Sequence, residues 1–194
     1  MTMLPNDKQF DHLSGFLLKA TAEDIRRHGS VLAEAIPELK PLLGFDQRSP
    51  HHAYDLFTHV AHVVARVPED LTLRWAALLH DIGKVPTFTR DETGRGHFYG
   101  HAETGADMAE AILGRLKAPE ELRKQVPVLI RSHMTKLKPE LLEKTVEELG
   151  AGTVEQLLHL QEADMASKGV GIPPELIQFS VLRGILQKMG EKAQ

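Results

Sequence analysis

The sequence predicts an all-α fold: a compact arrangement of about eight or nine helices with one short hairpin or loop. Three observations carry that prediction. Apolar residues recur at three- and four-residue spacing through most of the 194 residues. Proline, glycine and capping residues punctuate those runs at helix-length intervals. Only the segment from Val85 to Gly100 loses the helical period for long.

Taken in order, Leu13, Leu17, Leu18 and Ile25 mark an amphipathic start, with Thr21 and Asp24 spaced to cap a new helix. Pro37 and Pro41 interrupt the pattern, and Leu42 to Pro50 reads as loop. From Tyr54, the residues Leu56, Val60, Val63, Val64 and Val67 form one apolar helix face. Pro68-Glu-Asp70 predicts a break and an N-cap. The next stripe is Leu71, Trp75, Leu78, Leu79 and Ile82, with Gly83 as its expected C-terminal stop. Thr87 to Tyr99 is expected to be a short hairpin or an ordered loop. A helix then runs from His101 through Met108 and Ile112 to Leu116. Pro119 begins another, which Pro127 is expected to kink or split before His133. Pro139 opens a helix that Gly150 closes, and Thr153 caps one that passes Asp164. Pro173 and Pro174 start the last helix, with Leu176, Ile177, Phe179, Leu182 and Ile185. A four-helix core with flanking helices is the expected arrangement.

Composition narrows the function. The chain is 42% hydrophobic and 26% charged with a net charge of -4, which fits an ordinary globular protein and shows no basic surplus for nucleic acid. The absence of cysteine excludes disulfides and thiolate metal sites. No stretch of about 18 apolar residues is available to span a membrane. The N-terminus lacks the pattern of a signal peptide. A cytoplasmic location is the expectation. One count stands out: 11 His beside two Tyr and one Trp. Histidine is the commonest metal ligand and proton carrier.

The histidines gain meaning from position. Leu78-Leu79-His80-Asp81-Ile82-Gly83-Lys84 places His and Asp together at the end of a strongly apolar helix. Two polar groups there are costly to bury unless something satisfies them, as a divalent metal would; the alternative is a helix end facing solvent. His59 falls within the Val60/Val63 helix, and Asp164 interrupts a late apolar stripe. Two imidazoles and two carboxylates on separate helices suit Mn, Fe, Co, Ni or Zn better than Mg. His101 and His133, with Asp81 as a bridge, extend the set to a second metal; their alternative is helix capping or loop hydrogen bonding. Lys84, one turn past Asp81, is a candidate catalytic and phosphate-binding group beside Asp81, and Arg131 a candidate for gripping phosphate; a solvated Lys and a surface ion pair are the plain alternatives. The Thr87–Tyr99 loop is expected to wall the pocket. His51, His52, His62 and His97 are assigned no ligand role.

This set resembles the signature of the HD-domain superfamily of metal-dependent phosphohydrolases. The order His59, His80-Asp81, His101, His133, Asp164 resembles its two-metal members. The stretches His52–His59, Arg74–Lys84, Gly96–Gly105 and Glu162–Gly169 are similar to the HD domain of bacterial tRNA nucleotidyltransferases, the CCA-adding enzymes. The segment before His59 carries neither the Gly-Ser motif nor the paired acidic residues of their nucleotidyltransferase domain, so nucleotide addition is not expected. The resemblance implies a single HD domain, with 1–50 as a helical extension, 51–170 as the metal-site core and 171–194 as the last helix. It implies one or two divalent transition metals, hydrolysis of a small nucleotide-like phosphoester as phosphatase, nucleotidase or cyclic phosphodiesterase, and a homodimer. Two other readings stay open: a di-iron oxygenase of the inositol-oxygenase type, and a noncatalytic metal-containing binding or sensing module.

Overall fold

A computed structural model describes residues 6–49, 53–171 and 174–192. In chain order the elements are α1 (Asn6–Lys19), α2 (Ala22–Arg27), α3 (Gly29–Ala35), a 3-10 helix (Pro37–Leu42), α4 (Leu56–Arg66) and α5 (Leu71–Leu79). Strands β1 (Thr89–Arg90) and β2 (Gly96–His97) follow, then α6 (His101–Arg115) and α7 (Glu120–Ser132). A 3-10 turn (Pro139–Leu141) leads into α8 (Leu142–Leu149) and α9 (Ala151–Ala166), and another (Pro174–Leu176) into α10 (Ile177–Lys192). The all-α expectation holds. The described residues form ten α-helices rather than eight or nine, because the N-terminal run is cut into α1, α2 and α3.

Side-chain caps start α2, α4 and α5; those at Thr21 and Asp70 fall where the sequence places them, and Asp55 adds a third. Thr21 and Asp24 form a reciprocal capping box on α2. The Asp55 carboxylate accepts from Thr58 N at 3.1 Å, and Asp70 accepts from Leu73 N at 2.9 Å. From Thr72 to Leu79 every residue of α5 is buried. A helix buried on all sides belongs at the centre, and α5 packs against α1, α4, α7 and α9. Helix α1 is tied to it closely. Phe10 stacks on Trp75 at 5.4 Å, Trp75 Nε1 donates to Ser14 Oγ at 3.0 Å, and buried Arg74 donates to the Leu17 and Ala20 carbonyls that end α1. One buried apolar cluster extends from Phe10 to Leu182.

Four local expectations change. Gly83 does not end α5 through a left-handed cap. The helix ends at Leu79 with His80 as C-cap, and Gly83 sits in the following turn against the start of α6. A Cβ at Gly83 would lie 2.2 Å from the His101 carbonyl oxygen and 2.6 Å from Gly105 N. Pro127 does not split α7, which is continuous from Glu120 to Ser132; proline there removes one N–H from the ladder. Thr153 is not a cap: α9 starts at Ala151, directly after Gly150. Pro37 and Pro41 shape a 3-10 helix rather than a plain break. Pro50, Pro173, His51 and His52 lie outside the described residues.

The Val85–Gly100 segment is a hairpin, with Thr89 opposite His97 and Arg90 opposite Gly96. Gly96 N donates to the Arg48 carbonyl at 3.0 Å, and a Cβ at Gly96 would meet the Gln47 carbonyl oxygen at 2.5 Å. That close approach clamps the 45–49 loop to the hairpin. Phe45, Phe88 and Phe98 form an aromatic cluster between them, with centroid separations of 5.1, 5.5 and 6.5 Å. Helix α10 lies on α9 through buried Phe179 and Leu182 and leaves Ile177 and Val181 in solvent. No described helix is long and apolar enough to cross a membrane.

Candidate metal centre

The six candidate donors converge from five helices. His59 comes from the middle of α4, His80 and Asp81 from the end of α5, His101 from the first position of α6, His133 from the end of α7, and Asp164 from α9. All but Asp164 are buried or nearly so, and Asp164 keeps one edge open.

Each imidazole is held from behind by a backbone carbonyl. His80 Nδ1 donates to Ala77 O at 2.8 Å, His101 Nδ1 to Phe98 O at 2.7 Å, and His133 Nδ1 to Ile130 O at 2.6 Å. All three bonds reach the carbonyl three residues back. For His80 and His133 that is a last-turn carbonyl, which a helix end leaves free. His59 Nδ1 donates across the fold to Ser167 O at 3.2 Å. A carbonyl only accepts, so Nδ1 carries the proton in all four rings and the neutral form offers its lone pair at Nε2.

Those Nε2 atoms face the Asp81 carboxylate, whose two oxygens divide the work. Oδ2 lies 3.2 Å from His80 Nε2 and 3.5 Å from His59 Nε2. Oδ1 lies 3.7 Å from His101 Nε2 and 3.9 Å from His133 Nε2. Asp164 Oδ1 is 3.1 Å from His59 Nε2. The donors thus fall into two triads, His59/His80/Asp164 and Asp81/His101/His133, with ligand atoms within 4.8 Å of one another in each. Ligands of one ion at ~2.1 Å are ~3.0 to 3.5 Å apart; the His59–Asp164 and His101–His133 separations of 3.1 and 3.2 Å fall in that range, and the Asp81 separations of 3.7 and 3.9 Å lie just outside it.

The donor set also fits a cation on electrostatic grounds. His101 Nε2 and His133 Nε2 are 3.2 Å apart. With both outer nitrogens donating to carbonyls, two neutral rings would aim lone pairs at each other. A proton does not settle on His133: burial, and then the nearby His80, push its pKa down to about 4. A divalent ion held by both rings would remove this repulsion. His80 Nε2 is fully buried and makes no hydrogen bond. Burial opposes charging His80, yet Asp81 and Asp164 outweigh it and raise its pKa, so this spot draws positive charge. Burial likewise works against ionised Asp81 and Asp164, but His80 and Lys84 hold Asp81 well below the carboxylate range, and His59 does the same for Asp164.

Lys84 is buried rather than solvated. Its Nζ is 2.8 Å from Asp81 Oδ2, donates to Gln47 Oε1 at 3.0 Å, and lies 5.3 Å from the Phe98 ring centroid. Arg131 is half-exposed and pairs with Asp107 at 2.8 Å, on the wall of a neighbouring cleft. The donors open into a cleft of about 290 Å³ bounded by Asp81, Lys84, Phe98, Tyr99, His133 and Lys168. The second half of the hairpin does wall this cleft. His62 stacks on Tyr54 and His97 bonds Asp91, so neither joins the donors.

Several contributing residues carry no assignment from sequence. Lys168 shares the cleft; its spacing of four from Asp164 near the end of α9 was the available signal. Gln161 donates to the His133 and Thr135 carbonyls at 3.0 and 2.8 Å and fixes the segment after α7. Gln47 reaches Lys84 across 37 positions, a contact no local pattern announces.

The stretch that carries these donors is similar to known proteins. A family model described as HD domain matches residues 56–175. The A-adding tRNA nucleotidyltransferase of Deinococcus radiodurans is 44% identical over 108 residues, which is 53% of this chain and 25% of that protein. The CC-adding tRNA nucleotidyltransferase of Thermus thermophilus is 42% identical over 115 residues, 57% of this chain and 26% of that protein. A multifunctional CCA protein of Halorhodospira halophila is 35% identical over 159 residues, covering 75% of this chain and 38% of its own length.

Proposed function

The chain belongs to the HD-domain family, and from that premise we propose that it is a metal-dependent phosphohydrolase acting on a nucleotide or related phosphoester. The observation that carries this reading is the division of the Asp81 carboxylate between two buried donor triads. His59, His80, Asp164 and Asp81 Oδ2 would hold one divalent transition metal; Asp81 Oδ1, His101 and His133 would hold a second. Such ions supply Lewis acidity to a phosphoryl oxygen and lower the pKa of water.

The chain's own residues do the rest. Lys84 braces Asp81 and places a positive charge at the floor of the cleft. Lys168 brings a second ammonium to its wall, whereas Arg131 lines the neighbouring cleft with its guanidinium paired to Asp107. These cations favour a phosphate anion over an uncharged polyol. Phe98 and the aromatic cluster behind it give one side an apolar wall, which strengthens charge interactions beside it. Nucleotide addition, named in the relatives, belongs to proteins of which the matched stretch is a quarter to about two fifths.

The test is elemental analysis of the purified protein, followed by a screen of metals against 2′,3′-cyclic nucleotides, nucleoside monophosphates and an aryl phosphate. Metal bound in at least one equivalent, with phosphate release, is expected. Asp81→Ala should lower turnover at least about a hundredfold and reduce bound metal, since it removes a ligand from both triads. Full turnover in that variant would end the proposal.

A further inference from the structure

Two large side chains stand in solvent at the edge of the donor cleft. Tyr99 is 79% exposed and Met134 is 60% exposed. Each is close in sequence to a donor: Met134 follows His133, and Tyr99 precedes Gly100 and His101. Both line the donor cleft of about 290 Å³, and both line the adjoining cleft of about 410 Å³ with Arg131. A single exposed apolar side chain needs no explanation. Two on the rim of one charged cleft do.

Tyr99 is held in place. Its ring stacks on His97 at 5.4 Å and 6°, and its hydroxyl is 3.4 Å from His97 Nδ1. His97 Nε2 donates to Asp91 Oδ2 at 2.8 Å. Asp91 in turn accepts from the backbone N of Thr93 and Arg95 at 2.9 and 3.1 Å. The hairpin turn therefore fixes Asp91, Asp91 fixes His97, and the His97 ring lies parallel to the tyrosine ring, offset along it. At 79% exposure, most of the tyrosine ring surface remains in solvent. This is a two-membered stack ready to accept a third planar ring.

We propose that Tyr99, with the thioether of Met134, forms the subsite for the nucleobase of a nucleotide whose phosphate lies at the donor triads. The inference rests on the phosphohydrolase reading and specifies its substrate class. Stacking on an aromatic ring recognises any base, because every base has a π face. A thioether adds a polarisable contact that adapts to different ring shapes. The subsite selects for a base-bearing phosphoester over a base-free one while tolerating several bases.

The experiment compares adenosine 5′-monophosphate with glycerol 2-phosphate in the wild type, Tyr99→Ala and Tyr99→Phe, all loaded with the same metal. The ratio of kcat/KM for the nucleotide over the base-free substrate should fall about tenfold in Tyr99→Ala and be retained in Tyr99→Phe. Equilibrium dialysis of adenosine 5′-monophosphate reads binding without turnover and should show a matching loss of affinity in Tyr99→Ala alone. An unaltered ratio and unaltered nucleotide affinity in Tyr99→Ala would overturn the subsite. Absence of hydrolysis by the wild type with every metal would instead overturn the phosphohydrolase reading, and dialysis would still decide on Tyr99.

Discussion

At the scale of single residues, charge placement governs the centre. His133 stays neutral in the metal-free protein down to about pH 4, because burial and then His80 oppose its protonation. In the unfolded chain the same ring takes its proton near pH ~6.5. Between those values the unfolded state binds more protons at this ring, so its own contribution to stability falls as pH drops, by up to about 3 kcal/mol, while His80, whose pKa is raised, contributes in the opposite direction. Urea unfolding in chelator at pH 7 and pH 5 tests this. His133→Leu should lose less stability than the wild type on acidification, and an equal loss would contradict the assignment. Much of this scale is legible in sequence, since His80-Asp81 at the end of an apolar stripe announces a costly buried pair. The Nδ1 bonds are not legible for His59, whose acceptor Ser167 lies 108 positions away.

At the scale of elements, the turn after α5 sets the geometry. Gly83 lets this turn touch the first residues of α6, bringing Asp81 opposite His101. Gly83→Ala would press a methyl into two backbone atoms, His101 O at 2.2 Å and Gly105 N at 2.6 Å. It should cost about 2 to 4 kcal/mol and weaken metal binding. Gly184→Ala is the contrast: the site is exposed, lies inside α10 and has nothing within 4 Å, so it should stabilise by about 0.5 to 1 kcal/mol. Thermal unfolding and metal titration of both variants distinguish packing from propensity. The sequence marked Gly83 as a helix stop because a glycine after an apolar stripe usually is one. Only the tertiary approach of α6 reveals its use. The caps Thr21 and Asp70 were legible because their partners lie three residues ahead. Thr153 was misleading because Gly150 had already turned the chain into α9.

At the scale of the whole molecule, the centre ties together helices that are distant in sequence. The donors span residues 59 to 164, and α5 is the shared post around which α4, α7 and α9 pack. A ligand that binds only the folded state stabilises it by mass action, about 2.7 kcal/mol at a hundredfold excess over its dissociation constant. Chelation should therefore lower the melting temperature by several degrees, and re-addition of metal should restore it. Calorimetry with and without chelator measures this; identical transitions would argue that the donors hold no ion. The helical class was readable from period and punctuation alone. The pairing of helices was not, because an apolar stripe records that a face is buried and says nothing about which neighbour buries it.

The carbonyl bonds behind the histidines have a consequence for how such a protein changes over time. Where an outer carboxylate orients a ligand, one substitution can misalign the metal. Here all four outer partners are peptide oxygens, which every amino acid supplies. Ala77, Phe98, Ile130 and Ser167 can be exchanged for other residues without removing the acceptor that orients each ring. The orientation of the imidazoles is thus shielded from mutational drift, and the cleft around them is free to acquire new substrates while the centre keeps its aim.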